Sequence, residues 1–161
     1  MSEIRIVFDI GGVLVNTSRR SFIAHLSNLT GRPIGLTECR AFLEGSVVRA
    51  FEVGKLGESD FITHLSRYFS LEGARRGAIL DVWCSILSAP TATYRLLDEI
   101  PPDVWMLASN TNALHWQRLC LDYPGLRRGQ PPLLSYRIGV LKPHSIFFHQ
   151  LNSVIQRKAR T

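Results

Sequence analysis

From Ile4 to Phe8 every position except Arg5 is apolar. A half-buried strand alternates, whereas an unbroken apolar run marks a strand covered on both faces, as in a parallel sheet flanked by helices. From Ser18 to about Leu87 the spacing turns helical: Phe22, Leu26 and Leu29 share one face, as do Phe61, Leu65 and Phe69. The stretches "TGRPIG", "EVGKLGESD" and "LEGARRG" punctuate this part, and Ser59 or Asp60 is the expected cap of the helix carrying Phe61. The strand–helix pattern then resumes. "ATYRLLDEIPPD" predicts a helix stopped by Pro101 and Pro102, and Val104 to Ala108 predicts a second buried strand. "SNTNALHWQRLC" turns from that strand into a helix, and a third short strand is expected near Leu133 to Tyr136. "LKPHSIFFHQLNSVI" opens a last helix, with Pro143 in its first turn and Ile146, Phe147, Leu151 and Val154 on one face. The reading is α/β: a strand, a helical insertion, then helix–strand–helix–strand–helix, with no internal repeat. Trp83 and Trp105 are expected in the core, and Phe42, Phe51 and Phe61 in the core of the insertion.

Composition narrows this picture. A chain of 161 residues is long enough for one domain with a real core, and 45% hydrophobic against 20% charged residues excludes a disordered chain. No apolar run reaches membrane-span length, and Glu3 and Arg5 stand where a signal peptide would be apolar, so a cytoplasmic location is the default expectation. Cys39, Cys84 and Cys120 have no paired spacing and suggest neither a disulfide framework nor a zinc site. The five histidines share no metal-ligand spacing, and His115 is expected to pack or cap. A net charge of +6 and a pI near 9.7 suit anionic partners. The basic residues fall in short doublets, such as Arg19-Arg20 and Arg75-Arg76, without the aromatic-interleaved helix of a nucleic-acid surface. Phosphorylated metabolites fit better than nucleic acid.

Candidate chemistry sits at three strand–loop–helix junctions. Asp9 follows the first strand, where ligands of open α/β sheets bind, and Gly11 and Gly12 allow a sharp turn beside it. Asp is equally a common strand-ending turn residue. In "LASNTN" the hydroxyls of Ser109 and Thr111, with Asn110 and the free N–H groups of a helix start, form a phosphate cradle or simply a helix cap. Lys142, in "GVLKPHSIF", either neutralises a phosphate or carboxylate or marks a surface turn.

In chain order these junctions resemble the haloacid dehalogenase (HAD)-like hydrolase superfamily, in the branch with a small helical cap after the first motif. "VFDIGGVLVN" resembles its first motif, "MLASNTNALHW" its second and "RIGVLKPHSIFFHQL" its third, while "FEVGKLGESDFITHLS" is similar to a cap segment. The resemblance implies a Rossmann-like parallel sheet formed by 1–16 and 89–161, with a helical cap over 17–88. It implies that Asp9 is the nucleophile of a phosphate-monoester phosphatase working through an aspartyl-phosphate. Ser109 would then hold the phosphoryl oxygens and Lys142 would offset charge, with Gly12, Asn110 and Thr111 as phosphate-binding positions. Magnesium (Mg2+) would sit on Asp9 and the Gly11 carbonyl, and the substrate would be a small phosphorylated metabolite.

The sequence departs from the family pattern twice. Many family phosphatases carry a second Asp two residues after the nucleophile, as general acid/base; here that position is Gly11. The fourth motif, an acidic pair after another buried strand, has no counterpart, and no acidic residue follows Asp122. The expectations are a sheet shortened at the C-terminus, a weakened magnesium site and an open apolar edge on the first strand, inviting self-association. Two further readings stay open: an inactive remnant kept for binding or oligomerisation, and a 2-haloacid dehalogenase using the same carboxylate.

Overall fold

In the computed structural model, which describes residues 4–159, the elements run β1 (Ile6–Phe8), β2 (Val15–Thr17), α1 (Arg19–Thr30), α2 (Leu36–Leu43), α3 (Ser46–Glu52), α4 (Glu58–Phe69), α5 (Arg76–Cys84), β3 (Leu87–Pro90), α6 (Leu96–Glu99), β4 (Trp105–Ser109), α7 (Ala113–Asp122), β5 (Gln130–Leu134), α8 (Ser135–Ile138) and α9 (Ser145–Ala159). Strands β1, β4 and β5 form one sheet in the order β1-β4-β5, and both pairings are parallel, with Val7 opposite Met106 and Ala108 opposite Leu133. The central strand β4 is buried at every position. Its alternating side chains feed two cores. Trp105 and Leu107 pack with Phe8, Leu97, Trp116 and Leu134, while Met106 and Ala108 pack on the other face with Leu133 and Phe147. The unbroken apolar run of β4 therefore means what a doubly covered parallel sheet requires, whereas β1, expected to be covered on both faces, is only partly buried. Strand β1 lies at the sheet edge among the described residues, and Val7 there is 38% exposed.

Helices α1 to α5 bury their apolar faces on a third core, which Phe22, Phe42, Phe61, Phe69 and Trp83 fill. The rings pack edge-on for the most part, as Phe22 does against Trp83, while Phe51 stacks flat on Phe61 at 4.1 Å. Chain enters and leaves this helical part through an antiparallel ribbon of β2 and β3. The ribbon is not legible in the hydrophobic pattern, because three- and four-residue strands are too short to show a period.

Several expected boundaries move. Gly57 is the N-cap of α4, which places Ser59 and Asp60 inside the helix; Asp60 there lies in the first turn, favourable to the helix dipole. Strand β5 ends at Leu134, and Ser135 to Ile138, expected partly as strand, form α8. The helix before Pro101 has a single α-turn, α6, preceded by a 3-10 turn over Ala92–Arg95. Pro143 follows a cis peptide and precedes α9 instead of entering its first turn. On α9, Phe147, Leu151, Val154 and Ile155 face the sheet, whereas Ile146 is 50% exposed.

One seam ties the helical part to the sheet layer beyond the ribbon. The Ser135 hydroxyl accepts the Thr111 N–H at 2.9 Å and lies 2.7 Å from the Glu52 carbonyl and 2.9 Å from that of Thr111. Its single proton serves one carbonyl at a time. Beside it, Gly54 has φ +69°, and a Cβ there would lie 2.2 Å from the Tyr136 carbonyl oxygen, so only glycine fits.

Candidate active site

The three parallel strands end on the same side of the sheet, and their junctions bring three chemically distinct side chains into contact. Asp9 lies one residue beyond β1. Its Oδ1 accepts the Ile10 N–H at 2.7 Å and the Ser109 hydroxyl at 2.8 Å, and its Oδ2 meets Lys142 Nζ at 2.7 Å. Ser109, the last residue of β4, is only 2% exposed. Lys142 also donates to the Ala108 carbonyl at 3.0 Å, which fixes its ammonium over the strand end. The Asp9 side chain keeps 39% exposure and that of Lys142 22%, so the pair is open to a small ligand from one side. An ammonium against a carboxylate is a charge-assisted contact, and it sets beside Asp9 a cation able to share its charge with an incoming anion.

The other residues expected to bind phosphate have structural engagements. Asn110 donates from Nδ2 to the Lys142 carbonyl at 3.0 Å and accepts the Lys142 N–H at 2.7 Å on Oδ1. This two-point clamp holds the backbone of Lys142 in place. The Thr111 N–H is committed to Ser135, and the Gly12 N–H to the Val15 carbonyl at 2.8 Å, within a turn that uses a Gly12 φ of +75°. Gly11 and Ser109 line a cavity of about 270 Å³ between the helical part and the sheet, which also meets Arg19, Glu44 and Glu52. Burial pushes the Glu52 carboxyl above its ordinary range, and the Arg49 charge pulls it partly back.

His115 lines that cavity beside Trp83, and Asn112 orients it from behind. Asn112 caps α7, its Oδ1 accepting the His115 N–H at 3.0 Å, and its Nδ2 lies 3.1 Å from His115 Nδ1. His115 Nε2 lies 3.1 Å from the Trp83 carbonyl, and the imidazole stacks on the Trp83 ring at 4.6 Å. The arrangement is complete for a neutral ring protonated on Nε2. Desolvation lowers the His115 pKa to about 4, with the Trp83 carbonyl opposing. The sequence does not single out Asn112 or Ser135; an Asn three residues before a His at a helix start was the only trace of this link.

The family pattern implies magnesium, and the donor set can be tested against it. Among the described residues no group of three His, Cys, Asp or Glu side chains could hold a metal ion. Both Asp9 oxygens are already engaged, by Ser109 and Ile10 on one side and Lys142 on the other. Magnesium asks for near-octahedral oxygen ligands, which these residues do not assemble. No helix among the described residues is long and apolar enough to cross a membrane.

No protein-family model and no curated protein matches the sequence. Solved structures do match the fold. A HAD family enzyme from Bacteroides thetaiotaomicron superposes with a TM-score of 0.80 at 24% identity, over 95% of this chain and 78% of that one. The same enzyme in complex with magnesium and inorganic phosphate gives 0.79 at 23% identity, over 94% and 78%. A predicted HAD-like family hydrolase from Porphyromonas gingivalis gives 0.74 at 26% identity, over 94% of this chain and 76% of that one. The parallel sheet, its three strand–loop–helix junctions and these superpositions agree: this chain has the fold of the haloacid dehalogenase-like hydrolases.

Proposed function

We propose that the chain is a phosphate-monoester hydrolase in which Asp9 is the nucleophile. The observation that carries this is the contact of Asp9 with both Ser109 and Lys142 at the ends of parallel strands. An oxygen of Asp9 attacks phosphorus, the bond to the ester oxygen breaks, and an aspartyl-phosphate forms as the alkoxide or aryloxide leaves and takes a proton from water. Water then attacks the same phosphorus, the bond to Asp9 breaks, and phosphate is released with the carboxylate restored. Lys142 compensates the charge gathered on the phosphoryl oxygens, and the Ser109 hydroxyl, shifting from Asp9, donates to one of them. Asn110 keeps Lys142 in register.

Gly11 has no side chain to protonate the departing oxygen. General acid help is worth about 10²–10⁴-fold, so weakly basic leaving groups such as aryl oxygens are preferred here. The solved Bacteroides enzyme holds magnesium and inorganic phosphate together. In this chain Asp9 and the Gly11 carbonyl would be the residues to hold the metal, too few oxygen donors for its shell, so no step is assigned to it. The helical residues 17–88 act as a cap over the core formed by 1–16 and 89–161, and the substrate is a small phosphorylated metabolite held between them.

The test is covalent. After reaction with acetyl phosphate and an acid quench, peptide mass analysis is expected to find a phosphoryl adduct on Asp9. An adduct on another residue, or none, overturns the assignment. A separate expectation follows from β1, whose outer edge is unpaired among the described residues. Free edge N–H and C=O groups template pairing with a second chain. Size-exclusion chromatography should show a concentration-dependent dimer; a monomer at every concentration removes the self-association proposal.

A further inference from the structure

A second and larger cavity, of about 940 Å³, opens between α3 and the loop from Gly139 to His144. Lys142 belongs to its lining and touches Asp9, so the cleft and the reacting centre share a wall. Arg49 and Lys55 border it from the helical part, and Lys142 and His144 from the sheet layer; no Asp or Glu does. Elsewhere Arg32 pairs with Glu38, Arg40 with Glu44 and Arg118 with Asp122. Arg49 and Lys55 have no such ion pair among the described residues. Glu52, three residues from Arg49, borders the other cavity and not this one. His144 Nδ1 takes the Ile146 N–H at 3.3 Å, which leaves Nε2 as a donor. Val53, Ile138 and Ile146 give the cleft an apolar floor between its cationic rims.

We propose that this cleft binds a second anionic group of the substrate, so that the substrate is a bis-anionic phosphate ester with a short apolar spacer. The inference rests on the phosphatase reading for its first anion, held at Lys142 and Ser109. The second anion is met by Arg49 and Lys55. Like charges lining a low-dielectric cleft repel one another and focus their field outward, and an anion relieves that repulsion as it binds. The spacer covers the apolar floor, giving a preference for carbon chains over bare pyrophosphate.

Isothermal titration calorimetry of the whole chain tests this with methylphosphonate and with bisphosphonates of one-, two- and three-carbon spacers, none of which needs turnover. At least one bisphosphonate is expected to bind tenfold or more tighter than methylphosphonate. The Arg49→Ala/Lys55→Ala variant should lose that advantage, with methylphosphonate binding changed less than about twofold, and Arg49→Lys/Lys55→Arg should keep most of it. The charge-keeping variant separates lost charge from lost fold. The proposal is overturned if no spacer improves on methylphosphonate, if the advantage survives the alanine pair, or if nothing binds. A bisphosphonate that binds through Arg49 and Lys55 in a chain that never forms the Asp9 adduct would leave this cleft standing and remove the phosphatase reading alone.

Discussion

Replacing Asp9 with asparagine is expected to lower aryl phosphate turnover by about 10³-fold or more, the scale on which removing a nucleophile acts. The substitution is nearly isosteric. An amide oxygen at the Oδ1 position still accepts from Ile10 and Ser109, so the strand end keeps its local bonds. What is lost is the anionic oxygen facing Lys142, and with it the lone pair that attacks phosphorus. Lys142 retains the Ala108 carbonyl, which limits the structural cost to its own position. Initial rates for both proteins, with circular dichroism as the check on folding, decide the matter. Equal rates would trace the activity to a contaminating phosphatase.

The second large effect is on stability as a function of pH. His115 has a folded pKa of about 4 against 6.5 for the free side chain. Its folded value is depressed, so the unfolded chain binds the proton more readily between these values, and stability falls as pH falls. The contribution is fully present above pH 6.5 and declines toward pH 4. The shift corresponds to about 3 kcal/mol in full, with roughly 2 kcal/mol gone by pH 5. The geometry supplies the reason. A proton on Nδ1 would point at the Asn112 amide group, itself a donor, while Nε2 is already committed to the Trp83 carbonyl. Glu52 acts with the opposite sign, since a carboxyl raised by burial gains stability as pH falls through its folded value. The measurement is therefore a difference: urea midpoints from pH 7.5 to 4.5 for the chain and for His115→Gln. The two profiles should converge as pH falls; parallel profiles would show that His115 carries no such linkage.

Much of the site was legible because each part announces itself locally. An apolar run ending in Asp9, another ending in Ser109, and a lysine before a helix are each readable within a dozen residues. What was hidden depends on neighbours far apart in sequence. Asn110 reads as a helix cap or phosphate ligand by type, and only its distance to Lys142, 32 positions on, shows a clamp. His115 and Trp83 are likewise 32 apart, and Ser135 reaches back 83 positions to Glu52. Asn112 and Ser135 stayed unnoticed because a buried polar side chain is defined by its partners, which no local pattern lists. The ribbon of β2 and β3 failed for a different reason: its strands are shorter than the period that would reveal them.

The seam at Ser135 and Gly54 bears on how molecules come and go. A helical part joined to the sheet by a ribbon alone would swing about it like a lid, and each turnover would wait on that swing. Here the swing would strip Ser135 from Glu52 and prise Gly54 off the Tyr136 carbonyl. A hydrogen bond exchanged for water is worth about 0.5–1.5 kcal/mol net, which with the packing at Gly54 favours the seated form. On the proposed reading, a substrate would reach Asp9 through the standing cleft beside Lys142, whose width would limit the girth of what enters.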